Sequence, residues 1–180
     1  MVQKRFRIAT LGAGVLLVAT AAHAALETRE VTTMAGKTAP AIQAQSIQGN
    51  PVTTKPGQGK VVLVSFFASW CPPCQKELGH LKELRTRLPA DKVMIVGVAM
   101  DPVITPYTVP EVKPMVEKAG LNFPVVLATK ALVGAYQCPG FPATYVVNPD
   151  GKFVKALFGY HPPEKISAEV NALLPKSASR

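Results

Sequence analysis

Trp70-Cys71-Pro72-Pro73-Cys74 sets two thiols three residues apart, at the junction between an apolar run and the first turn of an expected helix. At a helix N-terminus, unpaired N–H groups and the positive end of the dipole stabilise a thiolate, so the Cys71 pKa should fall below the free value of about 8.5. Cys71 is therefore the expected nucleophile. Cys74 lies nearly one turn on, where its sulfur can reach Cys71 while its deeper position shields it. Pro72 and Pro73 fall where a helix has no intrahelical N–H bonds to lose, and they stiffen the small ring. This arrangement fits attack by Cys71 on a substrate disulfide and resolution of the mixed disulfide by Cys74. Two other readings compete. A structural bridge over so short a span removes little chain entropy and so stabilises little. A zinc site needs two further ligands at matching spacing, and only Cys138, His80 and His161 are left to supply them. A Cu(I)-binding module using Cys71 and Cys74, with Cys138 as a third soft ligand, is the alternative from a different functional class.

Two elements must hold this motif. Before it, Val61 to Phe67 is a continuous β-branched and aromatic run, the pattern of a central strand buried on both faces. After it, Leu78, Leu81, Leu84 and Leu88 recur at helical steps among Lys, Glu and Arg, and Pro89 ends the helix. A second buried strand is expected at Val93 to Ala99. Asp101 to Pro110 holds three prolines and reads as a loop, and Thr108-x-x-Glu111 resembles a capping box before a helix ending near Gly120. Gly79 should loosen or kink the first helix. Val125 to Ala128 reads as a short strand and Thr129 to Tyr136 as a short helix. Ala143 to Val147 and Lys152 to Phe158, joined by Asn148-Pro149-Asp150-Gly151, should form an antiparallel hairpin. A final helix places Ile166, Val170, Leu173 and Leu174 on one face. Ile42 to Ile47 and Val52 to Thr54 read as short extended pieces around a turn at Gly49. The order gives an α/β fold, a mixed sheet covered on both faces.

With 48% hydrophobic and 17% charged residues, the composition excludes disorder, collagen and coiled coil. A domain of about 150 residues buries roughly two-thirds of its unfolded surface, so the cysteines are not needed as staples. Residues 1–24 read as a signal peptide. Lys4, Arg5 and Arg7 precede a 13-residue apolar run, Ile8 to Thr20, and Ala22-His23-Ala24 offers a cleavage site after Ala24. An uncleaved membrane anchor is the other reading of this segment. Export to the periplasm follows, an oxidising compartment where a close thiol pair is either bridge or redox couple. Residues 25–39 are polar, without apolar period, and read as a linker or loose arm. The formal charge of +9 contains the three charges of the leader, and Lys113, Lys118, Lys152, Lys155 and Lys165 alternate with apolar residues as on a solvated face. No nucleic-acid partner is expected.

Phe67-Ala68-Ser69-Trp70-Cys71-Pro72-Pro73-Cys74, followed by Lys76-Glu77-Leu78, resembles the thioredoxin superfamily. More narrowly, the chain resembles the exported TlpA/ResA/CcmG-like thiol-disulfide oxidoreductases. The match runs from about Pro40 to Leu174 and includes Pro40-Ala41-Ile42, Gly49 and Gly140-Phe141-Pro142-Ala143-Thr144. The resemblance implies a thioredoxin-like fold over 40–175 with an N-terminal β extension and a central insertion, followed by a tail at 176–180. It implies that Pro142 is a cis-proline beside the disulfide, leaving a backbone edge for the substrate chain, and that Trp70, Pro72, Pro73 and Phe141 face the substrate. It also matches Glu77 to an acidic residue following the second cysteine. On the same helix face as Cys74, that carboxylate could relay its proton if partly buried.

Several positions depart from the family pattern. Ser65 replaces a buried acid of the central strand, Leu78-Gly79 stands where a proline often follows, and Cys138 replaces an apolar residue four before Pro142. Ala68 occupies the position where a peroxidase would carry Thr or Ser. The implied function is reduction of specific exported proteins, of the apocytochrome c or copper-site type, recharged by a membrane dithiol donor. The redox-active disulfide would act without organic cofactor or metal, in a monomer.

Overall fold

The computed structural model describes residues 29–31, 33–55 and 57–174. The expected signal peptide and the tail at 176–180 lie outside these residues. In chain order the elements are β1 (Arg29–Val31), β2 (Ile42–Gln45), β3 (Pro51–Thr54), β4 (Val61–Phe67), α1 (Pro72–Arg87), β5 (Val93–Ala99) and α2 (Asp101–Ile104). A 3-10 turn at Pro106–Thr108 leads into α3 (Val109–Ala119), β6 (Val125–Leu127), α4 (Lys130–Ala135), β7 (Ala143–Val147), β8 (Phe153–Phe158) and α5 (Pro163–Asn171). Six strands form one sheet in the order β1-β8-β7-β4-β5-β6, and β2 and β3 form a separate two-stranded sheet. β4 pairs parallel with β5 and antiparallel with β7, so the sheet is mixed.

The apolar runs at β4 and β5 have the composition they do because both faces of the sheet are covered. On one face Leu78 and Leu81 of α1, Val112 and Val116 of α3, and Ile166 and Val170 of α5 pack against Leu63, Phe67 and Ile95. On the other, Ile42 and Val52 of the β2–β3 sheet join Phe66, Tyr136, Tyr145 and Phe153. Tyr136 makes edge-on contacts with Tyr145 and Phe153 at ring separations of 5.2 and 5.5 Å, a favoured aromatic geometry.

The fold differs from the expectation in four places. The stretch 25–39 is not a loose arm throughout: Arg29–Val31 pairs antiparallel with β8, Thr38 bridges Lys152, and Met34 is buried. An edge strand is held by backbone bonds on one side only, and it protects β8 without needing an apolar sequence. The segment 101–110 is helical rather than looped, because its prolines fall in the first turns of α2, the 3-10 turn and α3, where no N–H is required. The capping box at Thr108 does not form, since the Thr108 hydroxyl is directed to Asp101 instead. Finally, α1 continues from Pro72 to Arg87 without interruption at Gly79, held by Leu78, Leu81 and Leu84 on its buried face. Gly120 ends α3 in the left-handed region, at φ 59°, its N–H returning to the Val116 and Glu117 carbonyls.

Candidate active site

Parallel β4 and β5 end side by side, Phe67 opposite Ala99, and the chain leaving β4 turns directly into α1. Cys71 is the N-cap of α1, extended at φ −91° and ψ 108°, and its sulfur accepts the Cys74 N–H at 3.2 Å. A helix N-terminus thus directs an otherwise unpaired donor at this sulfur, the arrangement that stabilises a thiolate there. Cys71 and Cys74 are joined as a disulfide, with their Cα atoms 5.2 Å apart. Cys71 retains 5% exposure against 1% for Cys74. Pro72 and Pro73 are exposed beside them, at the first helical positions.

The Phe141–Pro142 peptide is cis and precedes β7. Phe141 packs edge-on against Trp70 with ring centroids 5.4 Å apart, which brings the proline loop to the disulfide loop across 71 residues of chain. Trp70 is nonetheless 48% exposed. It lines an open cleft of about 590 Å³ together with Ser69, Gln75, Glu111, Met115 and Lys118.

Glu77 sits one turn beyond Cys74 and is 1% exposed. The Thr144 hydroxyl donates to its Oε1 at 2.7 Å, and the His161 backbone N–H donates to its Oε2 at 3.1 Å. Burial raises the carboxyl above its ordinary value, and the two hydrogen bonds oppose that rise. Ser65 lies opposite Thr144 in the β4–β7 register, so the central strand contributes no carboxylate here.

Cys138 is half-buried in the approach to Pro142, and its thiol donates to the Gly140 carbonyl at 3.1 Å. Burial pushes that thiol up, which favours its protonated, poorly nucleophilic form. Its surroundings are apolar, including the second core. His80 lies against the Tyr160 ring, and His161 is buried, its backbone serving Glu77. Among the described residues, no group of three or more His, Cys, Asp or Glu is placed to hold a metal ion.

Asp101 is the residue that reading the sequence missed. Fully buried at the first position of α2, it accepts the Ser69 N–H at 3.1 Å, the Ser69 hydroxyl at 2.5 Å and the Thr108 hydroxyl at 2.8 Å. The only signal was an acid two residues past a buried strand, hidden by the prolines that follow it.

A profile of the AhpC/TSA family matches residues 35–156. The thiol-disulfide oxidoreductase ResA of Halalkalibacterium halodurans is 30% identical over 128 residues, covering 69% of each chain. ResA of Bacillus subtilis is 29% identical over 145 residues, 80% of this chain and 78% of that one. A crystal structure of a thioredoxin-family thiol:disulfide interchange protein from Chlorobium tepidum superposes with a TM-score of 0.68 at 25% identity, covering 77% of this chain and 96% of that one. With Cys71 capping a helix and bonded to Cys74, and a cis-proline loop packed through Phe141 against Trp70, on a fold and sequence shared with these proteins, the chain belongs to the AhpC/TSA family of the thioredoxin superfamily and is a ResA-like thiol-disulfide oxidoreductase.

Proposed function

We propose that this protein acts in the periplasm as a reductase for disulfides in specific exported proteins, of the apocytochrome c or copper-site type. The observation that carries this reading is the asymmetry of the pair: Cys71 caps the helix, whereas Cys74 is sealed beside a buried carboxylate. In the reduced enzyme the Cys71 thiolate attacks one sulfur of a substrate disulfide. The substrate S–S bond breaks, its departing thiolate takes a proton from water, and a mixed disulfide remains. Cys74 then passes its proton to Glu77, directly or through a water, and attacks the Cys71 sulfur. The substrate's second thiolate leaves, and two electrons have moved from the enzyme dithiol to the substrate.

The raised pKa of Glu77 brings it nearer to that of the thiol, which improves a base acting at neutral pH. Trp70, Pro72, Pro73, Phe141 and Pro142 form the surface that receives the substrate chain, and Cys138 takes no part. A membrane dithiol donor would restore the reduced pair, and the two sulfurs carry the chemistry without an organic cofactor, in a monomer.

Equilibrating the mature protein with dithiothreitol or glutathione tests the direction. A reduction potential near that of thioredoxin, about −270 mV, is expected, whereas one near about −120 mV would make the protein an oxidant and overturn the reading. A Cys74→Ser variant expressed in its own compartment should accumulate mixed disulfides through Cys71. Their absence alongside wild-type activity would sink the two-cysteine mechanism.

A further inference from the structure

We propose that Asp101, Thr108 and Thr105 form a one-directional hydrogen-bonded brace that holds the Trp70 indole in the orientation that receives a protein substrate at Cys71. The inference rests on the reading of Trp70 as part of the substrate surface.

The Trp70 indole N–H donates to Thr105 Oγ1 at 2.9 Å, although the side chain is 48% exposed. Thr105 Oγ1 and Thr108 Oγ1 lie 2.9 Å apart, and Thr108 Oγ1 lies 2.8 Å from Asp101 Oδ1. An indole nitrogen only donates, and a carboxylate only accepts. Those two ends fix both hydroxyls between them. Thr105 accepts from the indole and gives its own proton to Thr108, which gives its proton to Asp101. The Thr105 carbonyl is also 2.8 Å from the Thr108 hydroxyl, but that hydroxyl has one proton, and a bond to a carboxylate is the stronger use of it. Each bond in such a chain polarises the next.

The anchor is well placed. Asp101 is fully buried and also takes both donors of Ser69, so one side chain secures the two residues immediately before Cys71. Gln75 Nε2 ties the Ser69 carbonyl at 2.6 Å from the helix side. Phe141 packs edge-on against the Trp70 ring. The indole is thus gripped by the proline loop and by the segment between β5 and α3, and it stands as a fixed wall of the cleft rather than a mobile surface aromatic. A wall set in advance loses less conformational freedom when substrate arrives, which appears as tighter binding. In this arrangement Asp101, Thr108 and Thr105 are positioning residues, acting on substrate only through Trp70.

Trp70 is the only tryptophan of the chain, so its fluorescence reports on the brace directly. The test compares the wild-type full chain with Thr105→Val, Thr108→Val and Thr105→Ser, using time-resolved anisotropy and reduction of a disulfide-bridged peptide. Thr105→Val removes the indole's acceptor at nearly constant volume, and Thr108→Val cuts the next link should the first variant fold poorly. Each valine variant is expected to show a fast-rotating indole component and a KM raised about five-fold, the size of one lost hydrogen bond, with a smaller change in kcat. Thr105→Ser, which keeps the hydroxyl, should restore both readings. An indole as rigid as the wild type's in the valine variants overturns the proposal. So does a loosened indole with unchanged KM. Failure of the underlying functional reading would show differently, as a wild-type protein that reduces no peptide disulfide at all.

Discussion

Glu77 is sealed from water while holding two hydrogen bonds, so its protonation is tied to folding as well as to Cys74. Its folded pKa lies above the ordinary value of 4.5. The native state then binds the proton more tightly than the unfolded chain does. Stability contributed by this group is complete below pH 4.5 and is lost as pH rises through the folded value. Glu77→Gln should therefore flatten the decline of stability above pH 4.5, measured by urea unfolding across a pH series. The amide can turn its oxygen to the His161 N–H and its NH2 to Thr144, whose hydroxyl can accept instead, so the site has a way to stay satisfied. The same variant should slow resolution of the mixed disulfide about a hundred-fold and remove the carboxylate limb from its pH–rate profile, as single-turnover kinetics would show. Cys71 and Cys74 were legible in the sequence because their chemistry depends on local spacing. Glu77 was legible as a helix-face neighbour, but its burial depends on β7 and the turn at His161, which no local pattern encodes. Asp101 was invisible for a related reason: Ser69, which gives it two of its hydrogen bonds, lies past the end of β4, 32 residues back along the chain.

Among the elements, β4, β5 and the β7–β8 hairpin could be read directly from apolar runs and turn residues. The misread parts have two causes: at β1 a backbone partner far along the chain overrides local composition, and at 101–110 the prolines fall in first turns, where no N–H is lost. β1 is polar yet pairs with β8, and the segment 101–110 is helical despite its prolines. Gly97 shows how closely the elements at the site are fitted. It faces Ser65 across the parallel pair, and a Cβ there would lie 3.1 Å from Val125 Cγ2 and 3.2 Å from Phe67 Cε1. Both neighbours are fully buried and have no room to withdraw. Gly97→Ala is expected to destabilise the protein by about 1–3 kcal/mol, seen as a lower urea midpoint with an unchanged slope.

For the whole molecule, the site is assembled where β4 and β5 end and β7 begins, so it depends on one sheet whose strands come from both halves of the chain. The proposed export adds an expectation at this scale. Protein recovered from the periplasm should begin at Ala25, as intact-mass measurement would show, and a product retaining residues 1–24 would favour a membrane anchor instead. The distribution of partners along the chain has a consequence for the order in which the molecule comes into being. Cys71 and Cys74 are separated by three positions, whereas Thr144 reaches Glu77 across 67 and His161 across 84. Closing a short loop costs less entropy than closing a long one. In the presence of an oxidant, a nascent chain can join its two sulfurs before its last third arrives to enclose the carboxylate. Such a molecule is born with its electrons already spent, and its first encounter must be with a donor, not a client.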